Sequence, residues 1–219
     1  EIDKNHANAN KVMGELLGRV QGIMPICITS LEGGAKDNAI PRECEATIAV
    51  SDFDTLCSLC NNEATKLYEG LSGYDKACCI KAELVSKNTT VRALDKHTAR
   101  NLVYLMLCVP NGVFDMNHNI SGLVEWSRNL GVIRCDENKI EAVFASRSSF
   151  ESRIDASARE LDALAELTGA KAEHYNRYPG WSFAPTSAIR DRYIKAYGKV
   201  IGGEPVVETI HAGLECGFI

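Results

Sequence analysis

The chain has 219 residues, 45% hydrophobic and 24% charged, which is enough to build one large core or two small ones and excludes general disorder. Its net charge of −5 is the wrong sign for a surface built to hold phosphate backbones or anionic lipid, so neither nucleic acid nor membrane is an expected partner. No apolar run approaches the ~20 residues of a bilayer-spanning helix, and the opening Glu1-Ile2-Asp3-Lys4 lacks the basic and apolar parts of a signal peptide, so a soluble cytoplasmic protein is expected.

In chain order, Val12, Leu16, Leu17 and Val20 recur at helical spacing across 8–20, and a β-rich run follows over 23–29. After a turn-rich stretch ending at Pro41, residues 44–50 alternate as a strand. Ser51 and Asp52 can cap a helix that carries Phe53, Leu56, Leu59, Cys60 and Leu67, and a strand over 78–85 is predicted next. The order then recurs: a helix over 95–108, a strand over 122–133, a turn at 136–138, a strand over 140–146, a helix over 150–167 and a strand over 171–175. Each half therefore reads α-β-β-α-β, an internal repeat of topology with little sequence identity. The expected fold class is α+β, two ferredoxin-like units spanning 1–92 and 93–177 whose sheets share or abut. Residues 178–219 add Tyr178-Pro179-Gly180-Trp181, a helix from Pro185 to Val200 and a short strand over 205–210, too little for a core of their own.

Nine cysteines, an odd number with Cys78 and Cys79 adjacent and most others in apolar runs, suggest reduced, buried thiols. Cys57 and Cys60 form a lone C-x-x-C within a helical pattern and are read as core. The five histidines are scattered with no short ligand spacing, so no metal site is expected within this chain, and the usual Gly-rich nucleotide loops and nucleophile elbow are absent.

Three constellations could carry chemistry. Gly33-Gly34-Ala35-Lys36-Asp37-Asn38 is an irregular segment between two strands, where the Asn38 amide could serve a ligand or close its own turn. Arg147 ends a strand in Ser146-Arg147-Ser148-Ser149, either as a bidentate carboxylate binder or as a solvated strand end. In His211-Ala212-Gly213-Leu214-Glu215-Cys216-Gly217, glycines permit close backbone approach beside an imidazole and a carboxylate, or the segment is a plain turn with a buried histidine.

Asn8-Ala9-Asn10-Lys11, Asn38-Ala39-Ile40-Pro41-Arg42-Glu43, Pro110-Asn111-Gly112-Val113, Tyr178-Pro179-Gly180-Trp181 and the His211 to Gly217 motif occur together in an order and spacing that resembles the bacterial aminoacyl-histidine dipeptidases, two-zinc metallopeptidases that cleave Xaa-His dipeptides. The resemblance covers essentially the whole chain. It implies the lid of such an enzyme plus the first helix and strand of the return to its catalytic domain. By the same resemblance the metal ligands and the general-base Glu lie outside these residues, and this chain alone would be inactive and hold no zinc. It would supply substrate capture: Asn38 and Arg147 at the dipeptide carboxylate, and His211, Gly213 and Glu215 bordering the zinc pocket. His6 is not matched to the family's carbonyl-polarising lid histidine. The expected partners are the dipeptide, the chain's own catalytic domain and a second copy in a homodimer. The alternative is a free-standing amino-acid-sensing or dimerising module of the same ferredoxin-like type.

Overall fold

A computed structural model describes residues 2–4, 6–70, 75, 77–87, 90–136, 139–177, 179–180 and 183–209. After a 3-10 turn at Ile2–Lys4 come α1 (Ala9–Ile23), β1 (Ile26–Gly33), β2 (Cys44–Val50) and α2 (Phe53–Gly70). The second half supplies α3 (Lys96–Cys108), β3 (Gly112–Met116), β4 (Val124–Cys135), β5 (Ile140–Ser148), α4 (Glu151–Thr168) and α5 (Ala188–Val200). The result is a mixed helical and antiparallel-sheet protein, α+β as expected.

The helices start where short polar side chains can take the first free amides. The Asn8 side chain accepts from Lys11 N, Asp95 from His97 N and Thr98 N, and Ser187 from Arg190 N. Asp52 accepts from Thr55 N at 3.0 Å. α4 stops at Gly169, whose φ of 70° is the left-handed conformation that closes a helix C-terminus.

All five strands form one sheet. β1 pairs with β2 through Ile26↔Val50 to Gly33↔Cys44. The long β4 joins the halves: Ile133–Cys135 pair with β1 and Val124–Arg128 with β3, while β5 runs along Trp126–Cys135. Because residues 126–128 and 133–135 each pair twice, β1 and β3 follow one another along one edge of β4 and β5 occupies the other. The two halves thus share a single sheet.

One core closes over this seam. Leu16, Leu17 and Val20 of α1, Ile28 and Leu31 of β1, Leu56 and Cys60 of α2, Leu102, Val103 and Met106 of α3 and Ile133 and Cys135 of β4 are all buried in it. α1 and α3 cross closely because Gly14 and Gly18 lie at the contact, where a Cβ on Gly14 would stand 2.7 Å from Met106 Cβ. Lys11 Nζ then donates to the α3 carbonyls of Leu107 at 2.9 Å and to Val109 O at 2.8 Å, capping that helix end with a cation. On the β4–α4 side, Trp126 Nε1 donates to Ser157 Oγ at 2.9 Å and the fully buried Arg128 reaches Glu160 Oε2 at 2.6 Å.

Three expected strands are not strands. Residues 78–85 form no ladder; Ile80 and Ala82 pack against the core instead, so their alternation is satisfied by burial without pairing. Residues 171–175 run without a ladder beside α4, to which His174 Nε2 is tied through Asp162 Oδ1 at 2.8 Å. Residues 205–209 are irregular and mostly exposed, and residue 210 lies outside the described set. A strand requires a ladder partner as well as a pattern, and these segments take none among the described strands. β3 is an addition to the predicted elements, short and irregular in register against β4. The thiols are less buried than expected: among the described residues Cys60 and Cys135 are buried, whereas Cys27, Cys79 and Cys108 are exposed.

Candidate functional site

Three of the segments that carry the resemblance, those at Asn8, Asn38 and Asn111, are scattered in sequence and meet around β4. Asn8, besides capping α1, donates from Nδ2 to Asn129 Oδ1 at 3.0 Å and to Leu130 O at 3.1 Å. Asn10 Nδ2 donates to the same carbonyl at 3.2 Å. Asn111 Oδ1 accepts from Leu130 N at 2.7 Å. Leu130 is thereby satisfied by side chains just where β4 bulges, between Leu130 and Val132, and loses regular pairing with β5.

The Asn38 loop is built onto that bulge. Asn129 Nδ2 donates to Asp37 O at 2.9 Å and to Ala39 O at 2.8 Å, so one buried amide grips the carbonyls on either side of Asn38. Backbones touch here: a Cβ on Gly131 would stand 2.3 Å from Asp37 O, and one on Gly34, whose φ is 74°, would stand 1.9 Å from Gly131 O. Among the described residues the Asn38 side chain makes no hydrogen bond, so Asn129 and not Asn38 closes this turn.

Arg147 reaches the same place from β5. It pairs with Ser127, and its neighbour Ala145 pairs with Asn129. Trp126 and Arg128 point at α4, so Ser127 and Asn129 lie on the opposite face of β4, and Arg147 shares that face with them. Asn38 and Arg147 accordingly line one cleft of about 1380 Å³, together with Ser127, Asn129 and Pro41. They also border a second space of about 1460 Å³ between β5, α4 and residues 169–180. Each is larger than a pocket enclosing one small ligand, as suits an open wall more than a closed chamber.

The corner after Arg147 is held tightly. The buried Glu125 carboxylate accepts from Ser149 N at 3.1 Å, Ser149 Oγ at 2.5 Å, Ser148 Oγ at 3.4 Å and Asn117 Nδ2 at 2.7 Å. Gly180 packs on its far side, where a Cβ would stand 2.3 Å from Ser149 O, and donates N–H to Glu151 Oε1 at 2.9 Å.

His6 stands at the rim of the cleft with Nδ1 2.9 Å from Asp75 Oδ1, while Asp75 Oδ2 accepts from Ala7 N at 3.0 Å. The hydrogen bond from His6, then that from Ala7, holds the Asp75 carboxyl below the usual carboxylate range. Burial pulls the Lys11 ammonium below its ordinary value, with Glu15 opposing. Burial pushes the Cys44 thiol up to about 12, which makes it inert as a nucleophile near neutral pH.

His211, Gly213 and Glu215 lie outside the described residues; Thr209 lines the cleft. Among the described residues no three His, Cys, Asp or Glu side chains converge as a metal site. No helix among them is long and apolar enough to cross a membrane. Glu125 and Asn129 were missed by the sequence reading. Their only signal was a polar residue at every second position of Glu125-Trp126-Ser127-Arg128-Asn129, which also describes a solvated strand face.

Residues 1–68 match the M20 peptidase dimerisation domain. The chain is 33% identical over 220 residues to the cytosol non-specific dipeptidase of Escherichia coli (strain K12), covering 100% of this chain and 45% of that protein. Its fold is similar to the crystal structure of aminoacylhistidine dipeptidase from Vibrio alginolyticus, with a TM-score of 0.83 and 33% identity over 96% of this chain and 43% of that one. The chain spans less than half the length of either relative.

Proposed function

Because this chain resembles the dimerisation-domain portion of M20 dipeptidases in both sequence and fold, we propose that it is the lid and substrate-binding part of a cytoplasmic metallodipeptidase acting on Xaa-His-type dipeptides, with unit boundaries near residues 92 and 177. The observation that carries this reading is the convergence of Asn38 and Arg147, distant in sequence, on one cleft and around one strand.

Arg147 presents a permanent cation with a planar fork of donors, suited to the terminal carboxylate of a dipeptide. Asn38 adds a neutral donor and acceptor on a loop whose backbone is already anchored, so little entropy is lost when a ligand binds. By the resemblance, the segment carrying His211, Gly213 and Glu215 would border the zinc pocket of the complete enzyme, with Glu215 the candidate for the substrate amine. The hydrolytic machinery, including two zinc ions, belongs to the catalytic domain of the complete protein. The isolated chain captures substrate without cleaving it. A homodimer is the expected assembly, a reading supported by the similarity of residues 1–68 to the peptidase dimerisation domain.

The test is steady-state kinetics of the full-length protein on a free dipeptide and on its C-terminal amide. Arg147→Ala is expected to weaken use of the free dipeptide by roughly 1.5–3 kcal/mol and to spare the amide, whereas Asn38→Ala costs about 0.5–1.5 kcal/mol. An equal loss on both substrates for Arg147→Ala would return that residue to a plain strand end.

A further inference from the structure

We propose that Glu125 is the positioning residue for Arg147, acting through the Ser148-Ser149 corner; this rests on the reading of Arg147 as the carboxylate-binding group. Glu125 is 5% exposed, and its carboxylate accepts four hydrogen bonds, all from neutral donors. A buried carboxylate is costly unless its lone pairs are met, and three of these four bonds come from the two residues that directly follow Arg147. The fourth, from Asn117, anchors the carboxylate on the β3–β4 side.

Arg147 is therefore bounded on both sides. Its backbone is registered against Ser127 in the ladder, and the chain after it is clamped as it leaves β5 for α4. A long side chain with many rotamers can deliver a bidentate contact only if its root is fixed, because angular error at the Cα is magnified at the guanidinium. The clamp needs a carboxylate: Ser149 N–H and Oγ–H both converge on Oε1, and an amide placed there would turn either a weaker acceptor or an N–H toward two donors. Asn129, four residues further along β4, serves Asn38 in the same manner, so both proposed ligand groups are set by buried polar side chains of β4.

The experiment uses the full-length protein with the same free dipeptide and C-terminal amide, comparing Glu125→Gln, Glu125→Asp, Ser149→Ala, Asn117→Ala and Arg147→Ala. Glu125→Gln is expected to raise KM for the free dipeptide about tenfold, with a much smaller change in kcat and little change on the amide. Ser149→Ala should move KM in the same direction, and Glu125→Asp should recover part of the loss. Asn117→Ala loosens the clamp on the side away from Arg147 and should leave the ratio between substrates within about twofold while lowering the melting temperature. Equal losses on both substrates for Glu125→Gln, or an Asn117→Ala effect matching that of Ser149→Ala, would overturn the proposal and leave Glu125 a structural clamp only. If Glu125→Gln does not fold, the contrast between Ser149→Ala and Asn117→Ala decides it. Should Arg147→Ala itself fail to discriminate, the carboxylate reading falls and this inference with it; discrimination by Arg147→Ala without an effect at Glu125 and Ser149 overturns the inference alone.

Discussion

Asp75 shows how a single side chain can tie a terminal segment to the cleft. Both of its oxygens are used, one at His6 Nδ1 and one at Ala7 N, and its carboxyl is held below the usual range by those bonds. A carboxylate whose folded pKa is depressed adds stability that is fully present above its unfolded value and is lost as the pH falls through the folded one. The contribution should therefore disappear in the acid limb below about pH 4. Asp75→Asn is expected to lower stability at neutral pH and to flatten that limb, measured by urea unfolding at a series of pH values. Identical acid slopes in both proteins would rule the linkage out.

Among the elements, the α1–α3 crossing is set by space more than by polarity. Gly14 is present because Met106 Cβ would lie 2.7 Å from any Cβ placed there, whereas Gly22, one face and two turns on, has nothing within 4 Å. Gly14→Val should force the helices apart and cost roughly 1–3 kcal/mol by overpacking. Gly22→Ala should be neutral or stabilise by about 0.4–1 kcal/mol, since it only restricts the unfolded chain. Thermal or denaturant unfolding separates the two, and equal effects would show that the crossing is not close-packed. Element types were largely legible beforehand: α2 starts at the expected Ser51-Asp52 cap and α4 falls within a residue of the predicted 150–167, because caps and apolar stripes are local signals. The absent third strands were not, because pairing depends on which edges the rest of the fold leaves open.

At the level of the whole molecule, β4 does most of the joining. It pairs with three strands, receives Asn8 from the start of α1, anchors the 37–39 loop through Asn129 and fixes the end of β5 through Glu125. Asn129→Ala would leave Asp37 O and Ala39 O without the amide that both accept from, and Asn8 Nδ2 short of an acceptor. A loss of roughly 1–3 kcal/mol is expected, together with weakened ligand binding through Asn38. Arg147→Ala should lower the unfolding midpoint less than Asn129→Ala, because Arg147 is half-buried whereas Asn129 is buried. Denaturation of the two variants side by side checks this, and a comparable loss for both would mean that stability is not concentrated at Asn129.

The sequence by itself determined the positions of the five main helices and the α+β class, and it singled out Asn38 and Arg147 as candidate ligand-binding side chains. Those follow from periodicity, capping and side-chain inventory, which act over a few residues. Tertiary structure alone decided that the halves share one sheet, that residues 78–85 and 171–175 form no strand, and that Asn38 and Arg147 meet on one cleft. It also decided that Glu125 and Asn129 are buried. A polar residue on a strand looks the same in sequence whether water or another segment covers it, and only the fold supplies the covering segment that turns it from a solvated group into an anchor.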